Sequence, residues 1–535
     1  MKNIVKLLCS TVAITALLLL PDVIFGFVNP NLAVCANTDK AGVMAVLALC
    51  LTFVSNKKFL IGFLAFFGLL QMTQFSSMAY FGVYLTPYAI DFIFLEAGDV
   101  ATEIKDVWFK YLYVVPLVAV PYFVIGWLLC RDKLFRFKIK YGWLFVALFF
   151  GVFCCKARTP RGAFQMMFKQ TCFASFNTVN SYSVYFANIL PEKIFGKKAE
   201  KEYPAYVLTN TDKGGAEPVN IVFVVGESIN VNHFSLFGYS RPTTPKLEAF
   251  AKEHPAFVYK KAWAAAVNTM ISLPMIYNIQ VNPKNYRKLI KRDSYLFKMA
   301  RENGFKVTYI EGQNESLLKK TSVSDTDALF VYDEKDSAAK GEIGFLQNVF
   351  SKIDLNEGRN LVLVHRRNIH SPYKNNTMFE AEKYALFADK ETDSRINDYD
   401  NAVRYEDDVM AEILKFARSS KHKTYFFFVS DHGEALGQNG IWGHGHLDAA
   451  DLEVPFMAAV FNGADTALTE KLNAKPVLCS HDVSLAVAEV LGWRVEIPGE
   501  DLNVCQVNGR DSMGRAGVLK ITPHADGTAD FKLEK

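Results

Sequence analysis

Five long apolar stretches within the first 156 residues constrain this chain more than any other feature. They cover residues 7–28, 41–54, 59–78, 111–130 and 141–155, and the second and fifth are short. A helix needs about 20 apolar residues to cross the hydrocarbon core of a bilayer. We therefore predict an α-helical transmembrane domain of five spans in preference to the core of a soluble protein.

Basic residues flank these stretches in a pattern that predicts the topology. Lysine pairs precede the first stretch and separate the second from the third, and five basic residues lie between 131 and 140. Because cytoplasmic loops carry an excess of Lys and Arg, we predict a cytoplasmic amino terminus and place everything after the fifth span outside. A cleaved signal peptide over 1–20 is the alternative, but no small-residue cleavage site follows that segment.

The rest of the chain has the mixed composition of a globular domain and holds all ten histidines. The net charge of +4 is small for 535 residues, and no basic stripe interleaved with aromatic residues indicates nucleic acid as a partner. We predict a transmembrane domain over 1–156, an interfacial segment and linker over 157–218, and a globular domain over 219–535. The last ten residues of that linker, "TNTDKGGAEP", are typical of a flexible segment.

Short apolar runs alternate with helical patterns after residue 218. The runs predict strands over 220–226, 306–310, 328–332, 360–365, 424–430 and 455–461. They lack the strict alternation of a strand with one wet face, which favours an α/β fold with a mostly parallel sheet covered on both sides. Ligands of such sheets gather at the carboxyl ends of the strands.

Carboxylate and imidazole side chains follow three of these predicted strands. Glu227 follows the first, Asp431 and His432 follow the fifth, and His365 and His370 follow the fourth. A single histidine after a strand is more often an ordinary loop residue. Three strand ends of this kind together indicate the ligand set of a catalytic divalent metal ion.

A candidate nucleophile lies in "AAAVNTMISLPMIYN", where Asn268 and Thr269 precede a helical apolar pattern. One interpretation is a helix amino-terminal cap, which Asn and Thr commonly provide. The other is catalytic, because a hydroxyl at a helix amino terminus lies where partial positive charge favours an anion and a bound phosphate. The sequence leaves both open, as it does a disulfide between Cys479 and Cys505.

Several segments occur together in a recognisable order. They are "NIVFVVGESINVNHFSLFGYSRPTTPKL", "NTMISLP", "HSP" at 370–372, "YDNAVRYEDDV" and "VSDHGEALGQNGIWGHG". With the five apolar stretches, this set resembles the phosphoethanolamine transferases of Gram-negative inner membranes. That family belongs to the alkaline phosphatase and sulfatase superfamily, so the resemblance implies an alkaline phosphatase-like periplasmic catalytic domain.

The resemblance also implies roles for individual residues. Four would bind one zinc ion, with Thr269 as the nucleophile: Glu227, Thr269, Asp431 and His432. His370 and His444 would contact the substrate phosphate or a second zinc ion. Weaker matches would bind substrate: Ser316 and Lys319 in the catalytic domain, and Glu96, Thr102 and Glu103 in the loop between the third and fourth spans. His446 has no counterpart.

The implied reaction transfers phosphoethanolamine from phosphatidylethanolamine to lipopolysaccharide through a phosphoethanolamine-threonine intermediate, catalysed by an inner-membrane monomer. The acceptor stays open between a lipid A phosphate and a core sugar, since Ala265 and Met275 replace a cysteine pair that braces this segment in lipid A-modifying relatives. A phosphoglycerol transferase is the nearest alternative. A sulfatase would need an Arg that "NTMISLPMIYN" lacks, and a receptor with an inactive enzyme domain would lack ligands that are present here.

Overall fold

The computed structural model of the protein describes most of the chain. The described residues are 2–28, 38–81, 84–87, 89–90, 93, 112–159, 166, 171, 173–195, 203–212, 217–285, 287–313, 318, 321, 323–332, 341–367, 369–377, 380–438, 441–509, 517–524 and 528–534. The chain forms two compact units, 1–201 and 202–535. The finer limits at 156 and 218 stay a prediction.

The first unit contains a helix at each of the five predicted apolar stretches. These helices and the two that follow them are α1 (Lys2–Val28), α2 (Thr38–Phe53), α3 (Lys57–Phe81), α4 (Val114–Cys130), α5 (Trp143–Arg158), α6 (Ala174–Val184) and α7 (Leu190–Phe195), with a π-helical turn, Tyr185–Ile189, between the last two. Among the described residues, α1 and α3 alone are long and apolar enough to cross a membrane. Helices α2 and α5 have 16 residues each, fewer than the roughly 20 that a crossing needs, so five crossings are not confirmed.

The basic turns between these helices lie at the same end of the unit. Val54, after α2, forms a parallel bridge with Ile139, before α5. The Arg136 guanidinium donates to the Val54 carbonyl at 3.0 Å. The Phe135 amide donates to Ser10 Oγ in α1 at 2.9 Å. The amino-terminal third of α1 and both basic turns therefore lie together, and the predicted topology stays a prediction.

The fifteen strands found among the described residues all lie in the second unit. They are β1 (Val207–Asn210), β2 (Val219–Gly226), β3 (Val258–Trp263), β4 (Phe305–Glu311), β5 (Ala328–Val331), β6 (Arg359–His365), β7 (Lys423–Ser430), β8 (Ala435–Leu436), β9 (Trp442–Gly443), β10 (Glu453–Phe461), β11 (Leu478–Cys479), β12 (Trp493–Glu496), β13 (Cys505–Asn508), β14 (Val518–Pro523) and β15 (Ala529–Glu534). This set includes every predicted strand.

Eight strands form the central sheet, in the order β11-β3-β10-β7-β2-β6-β4-β5. Neighbouring strands are parallel except around β10, which runs antiparallel to both β3 and β7. The sheet is therefore mixed, with the predicted parallel arrangement restricted to β7-β2-β6-β4-β5 and to the β11-β3 pair.

Helices cover both faces of this sheet, which explains why its central strands β2, β6 and β7 are predominantly apolar. The helices of this unit are α8 (Pro245–Glu253), α9 (Thr269–Tyr277), α10 (Arg287–Lys291), α11 (Leu296–Glu302), α12 (Gly341–Phe350), α13 (Ala381–Tyr384), α14 (Ser394–Arg418), α15 (Ala449–Leu452), α16 (Thr466–Ala474) and α17 (Ser480–Val490). Val403 and Ile413 of α14 share one buried apolar cluster with Val222, Val362 and Phe426 of the sheet.

Two further features hold the carboxyl-terminal part of the unit in place. A disulfide joins Cys479, at the start of α17, to Cys505 in the separate sheet β13-β14-β15. Strand β1 pairs antiparallel with β12, so that Thr209 and Asn210 lie opposite Arg494 and Trp493. The expected flexible linker is thus partly ordered, because its first residues find backbone partners in the second unit.

Candidate metal centre

The order of the strands brings three chain segments to one edge of the sheet. Gly226 of β2 pairs with Ser430 of β7 in parallel register. Glu227 and Asp431 are the next residues in each segment, and Asp431 is followed by His432. Because the carboxyl ends of neighbouring parallel strands share an edge, carboxylates distant in sequence become neighbours. All three side chains are fully buried.

Thr269 completes a cluster with these three residues. Its Oγ1 lies 3.1 Å from Glu227 Oε2 and 3.2 Å from His432 Nε2. Glu227, Asp431 and His432 each offer one ligand atom within 4.8 Å of the others. The structure therefore brings together the four residues that the resemblance implied as zinc ligands.

The protonation pattern of this cluster fits a bound cation. His432 Nδ1 lies 2.8 Å from the Gly433 carbonyl oxygen, which can only accept, so Nδ1 carries the proton. Burial lowers the pKa of His432 to about 4, which leaves the Nε2 lone pair free at neutral pH. That lone pair faces Asp431 Oδ2 at 3.3 Å and Glu227 Oε1 at 3.5 Å. No described residue donates a hydrogen bond to Asp431 Oδ2.

Electron pairs that converge without a proton between them are costly in a buried site, and a divalent cation removes the cost. Carboxylate, imidazole and hydroxyl donors in a site with three protein side chains and a nucleophile are suited to zinc. Burial also raises the pKa of Asp431 above its usual value, which a cation beside the carboxylate would reverse. The residues present therefore fit a zinc ion.

Helix α9 positions the hydroxyl of Thr269. The Asn268 side chain accepts a hydrogen bond from the Ile271 amide at 3.2 Å and so caps the helix, while Thr269 is its first residue. Ser272 Oγ, one turn later, donates to the Asp431 carbonyl at 2.5 Å and ties the helix to the end of β7. The cap and the cluster thus use adjacent residues, so the two interpretations of this segment are compatible.

Glycine is required at 433 because the backbone approaches another segment closely there. A Cβ atom at this position would lie 2.1 Å from the Ala450 carbonyl oxygen. The Gly433 amide donates to the Asp451 carbonyl at 2.9 Å. This contact holds the chain in the turn that aims His432 into the cluster.

Two further groups lie beside the cluster: His365, which the sequence singled out at a strand end without assigning it a role, and Gln313, which was not predicted. His365 of β6 lies opposite Glu311 of β4 in parallel register, with Nδ1 2.9 Å from Glu311 Oε1. His365 Nε2 lies 3.8 Å from Glu227 Oε2 and has no hydrogen-bond partner among the described residues. Burial alone would lower the pKa of His365, but Glu311 outweighs it and the pKa rises to about 9. Gln313 Nε2 donates to Glu227 Oε2 at 2.5 Å.

The two predicted phosphate-contacting histidines lie beside the cluster. The His444 ring centroid lies 4.3 Å from that of His432, and the His370 ring lies 6.3 Å from His444. His370 is exposed, whereas His444 Nδ1 lies 2.9 Å from the buried carboxylate of Glu434. Burial would lower the pKa of His444, but the hydrogen bond and charge of Glu434 raise it to about 9. A protonated histidine at this position suits an anionic substrate.

The remaining predicted residues receive no structural test. Ser316, Lys319, Glu96, Thr102 and Glu103 lie outside the described residues. His446, which had no predicted role, has its ring Nδ1 3.2 Å from Asp451 Oδ2.

Comparison with known proteins gives one family profile and several curated relatives. The Sulfatase family profile matches residues 219–477. Phosphoethanolamine transferase EptC of Escherichia coli (strain K12) is 28% identical over 247 residues, which are 42% of this chain and 41% of that protein. Phosphoethanolamine transferase EptA of Helicobacter pylori is 28% identical over 235 residues, or 42% of this chain and 44% of that protein. These alignments thus span under half the length of these curated relatives.

Among solved structures, the integral membrane protein lipooligosaccharide phosphoethanolamine transferase A of Neisseria meningitidis matches 91% of this chain and 95% of its own. Its sequence identity is 18% and its TM-score is 0.43.

Proposed function

Because this chain belongs to the phosphoethanolamine transferase family, we propose that it transfers phosphoethanolamine from phosphatidylethanolamine to lipopolysaccharide. The enzyme works in the Gram-negative inner membrane, with five spans, a cytoplasmic amino terminus and the second unit in the periplasm. Donor and acceptor are both lipids, so anchoring the enzyme in the same membrane raises their effective concentration.

One observation carries this proposal: the hydroxyl of Thr269 lies within 3.3 Å of the Glu227 carboxylate and 3.2 Å from His432 Nε2, the ring nitrogen that carries no proton. Glu227, Asp431 and His432, together with Thr269 Oγ1, would hold one zinc ion. Zinc supplies positive charge, which offsets the repulsion between an anionic phosphodiester and an anionic nucleophile.

The first half of the reaction uses Thr269 and His444. Thr269 Oγ1 attacks the phosphorus of phosphatidylethanolamine, and the bond between phosphorus and the glycerol oxygen breaks. His444 passes a proton to that oxygen, so diacylglycerol leaves and phosphoethanolamine-threonine remains. The proton that Thr269 loses balances the proton that diacylglycerol gains, and no further reactant is needed.

In the second half, an oxygen of the acceptor attacks the same phosphorus and the bond to Thr269 Oγ1 breaks. The threonine hydroxyl regains its proton from the acceptor. His370 is exposed, its ring centroid lies 6.3 Å from that of His444, and in this proposal it contacts the phosphate. The acceptor oxygen belongs to a lipid A phosphate or to a core sugar.

The test of the nucleophile uses the purified full chain in detergent micelles and phosphatidylethanolamine labelled on an acyl chain. Release of labelled diacylglycerol is measured for Thr269→Ala and for Thr466→Ala. Thr466 is the matched control, since it is also the first residue of a helix after a capping side chain, and it is exposed. We expect a loss on the order of 10³-fold for Thr269→Ala and no change for Thr466→Ala.

Three outcomes would contradict parts of the proposal. Activity of Thr269→Ala above a tenth of the original would exclude this nucleophile. Faster release from labelled phosphatidylglycerol would identify a phosphoglycerol transferase. Full activity after removal of metal by a chelator, or no recovery when zinc is restored, would exclude zinc. Mass spectrometry of lipopolysaccharide from cells with and without the gene then locates the acceptor oxygen.

A further inference from the structure

The carboxylate of Glu434 lies between two hydrogen-bond donors beside the metal centre. Its Oε1 accepts a hydrogen bond from the Tyr373 hydroxyl, and its Oε2 lies 2.9 Å from His444 Nδ1. Glu434 is only 1% exposed. Because a buried carboxylate without hydrogen-bond partners is costly, both donors are needed to satisfy Glu434 and fix it in place.

This contact determines which nitrogen of His444 is available. A carboxylate oxygen accepts hydrogen bonds, so His444 Nδ1 carries a proton and points to Glu434. Nε2 is then the nitrogen left for substrate, on a ring whose centroid is 4.3 Å from that of His432. Histidines at metal and phosphate sites are commonly oriented in this way by a carboxylate on the second ring nitrogen.

Tyr373 is itself held rigidly. Its ring lies perpendicular to that of Tyr399, with the centroids 5.0 Å apart. The Tyr399 hydroxyl donates to the Ser228 carbonyl at 2.9 Å and accepts from the Asn230 amide at 2.7 Å. Asn230 Nδ2 in turn donates to the Glu434 carbonyl at 2.9 Å. Tyr373 and Glu434 are thus fixed relative to one segment, the loop after β2.

The hydroxyl of Tyr373 stays a donor across the physiological range. Burial and the charge of Glu434 raise the pKa of Tyr373 well above its usual value. Since both Glu434 oxygens are hydrogen-bonded, this carboxylate is suited to orienting His444.

We propose that Tyr373 is a positioning residue, whose hydroxyl fixes the Glu434 carboxylate and thereby aims His444 Nε2 at the substrate phosphate. Tyr373 itself touches neither the metal ligands nor the substrate. Its contribution to catalysis passes entirely through Glu434 and His444.

The kinetic test rests on the proposed function, because activity is measured as diacylglycerol release from acyl-labelled phosphatidylethanolamine. Tyr373→Phe removes one donor and keeps the ring. Loss of such an outer hydrogen bond typically costs about 10- to 100-fold. We expect kcat to fall by that factor, with KM changed less than about threefold and the zinc content of the full chain unchanged.

Tyr384→Phe is the matched control. The Tyr384 hydroxyl also donates to a buried carboxylate, Asp408 Oδ2 at 2.8 Å, and its ring meets Tyr405 edge-on at 5.0 Å. Tyr384 is 2% exposed and Tyr373 is 8% exposed. Because Tyr384 does not contact the candidate centre, its variant reports the general cost of losing a buried tyrosine hydroxyl, and kcat should stay within about twofold.

A double-mutant comparison separates positioning from a structural role. If Tyr373 acts through His444, then Tyr373→Phe should cost less than about twofold when His444→Gln is already present. An undiminished loss in that background would overturn the proposal. So would a Tyr373→Phe variant as active as Tyr384→Phe.

A readout independent of activity covers the case in which the proposed reaction is wrong. The chain has ten histidines, so ¹⁵N-histidine labelling of the full chain gives few ring signals, and the one lost in His444→Gln belongs to His444. Tyr373→Phe should move the His444 Nδ1–H resonance, and Tyr384→Phe should not. An unmoved resonance would refute the positioning role, whereas a moved resonance without diacylglycerol release would refute only the proposed reaction.

Discussion

Arg366, the residue after His365, is fully buried between two carboxylates. Its guanidinium donates to Glu342 Oε1 and, at 2.8 Å, to Glu406 Oε2. The single positive charge of Arg366 is thus shared by the buried side chains of Glu342 and Glu406. Burial raises the pKa of Glu342 to about 7, although Arg366 opposes the shift. Glu342 therefore exchanges a proton near neutral pH.

Glu342→Gln is expected to remove a pH dependence of stability. The usual pKa of this group is 4.5, so between pH 4.5 and about 7 the folded chain keeps a proton that the unfolded chain has released. The free energy of unfolding then falls as pH rises through this interval. A shift of this size corresponds to about 3 kcal/mol. The variant still leaves Glu406 as a partner for Arg366.

The measurement is the melting temperature of the full chain in detergent at pH 5 and pH 8. From pH 5 to pH 8, the melting temperature of the original chain should fall by more than that of the Glu342→Gln variant. Glu302→Gln, at an exposed position on α11, should behave like the original chain. A decline of equal size in both Gln variants would show that Glu342 is not the titrating group.

At the scale of elements, helix α9 shows how a stabilising cap and a reactive group depend on each other. Asn268 keeps extended backbone and satisfies the Ile271 amide, which lets Thr269 begin the helix with its hydroxyl toward Glu227. A frayed first turn would move that hydroxyl. The cap therefore contributes to stability and to catalysis through one hydrogen bond.

Asn268→Ala is expected to lower stability by about 1 kcal/mol and to lower diacylglycerol release more than that loss explains, because Thr269 loses its fixed position. Asn268→Ser keeps a capping oxygen and should retain most of both. The melting temperature and kcat are measured for each variant in the full chain. Equal kcat values in the two variants would mean that the cap does not position Thr269.

Strand β3 shows where sequence patterns were insufficient. Its sequence, "VYKKAW", contains two lysines and lacks a long apolar run, so no strand was predicted there. In the structure, Lys260 Nζ donates to the Leu472 and Lys475 carbonyls near the end of α16, at 2.9 and 2.6 Å. Lys261 pairs with Glu453 at 2.7 Å. The strands buried on both faces were predicted correctly because their apolar runs are visible in the local sequence and do not depend on such long-range partners.

The site residues also divide into those that the local sequence identifies and those that depend on contacts between distant segments. Glu227 and Asp431 were identifiable because each follows an apolar run, and the parallel sheet places such ends together. The position of His365 in the cluster depends on Glu311, the last residue of β4, which neighbours β6 only through the strand order of the sheet. A pairing between side chains on β4 and β6 cannot be inferred from either segment alone, so the sequence singled out His365 at a strand end but assigned it no role.

At the scale of the whole molecule, the first unit carries the evidence on topology. The start of α1 and the turns after α2 and α4 meet at one end of the unit through Ser10, Val54 and Ile139. Those turns carry the excess of basic residues. If α1 and α3 cross the bilayer, the excess of basic residues favours the cytoplasm for this end, and the proposed five-span topology places the chain after α5 on the opposite side.

Reporter fusions test this arrangement in cells. A phosphatase that is active only in the periplasm, fused after Asn56 or after Lys138, should be inactive. The same reporter fused to the carboxyl terminus should be active. High activity after Lys138 would exclude the five-span topology, and the carboxyl-terminal fusion serves as the positive control for expression and export.

The candidate ligands come from distant parts of the chain, since Thr269 lies 42 residues from Glu227 and 163 from His432. An unfolded polypeptide keeps Asp431 and His432 together but holds neither near Glu227 or Thr269, so we expect the ion to be captured only after the sheet is complete. A newly exported copy in a zinc-poor environment would then be folded but inactive. We expect the onset of its activity after synthesis to be timed by the local supply of the ion.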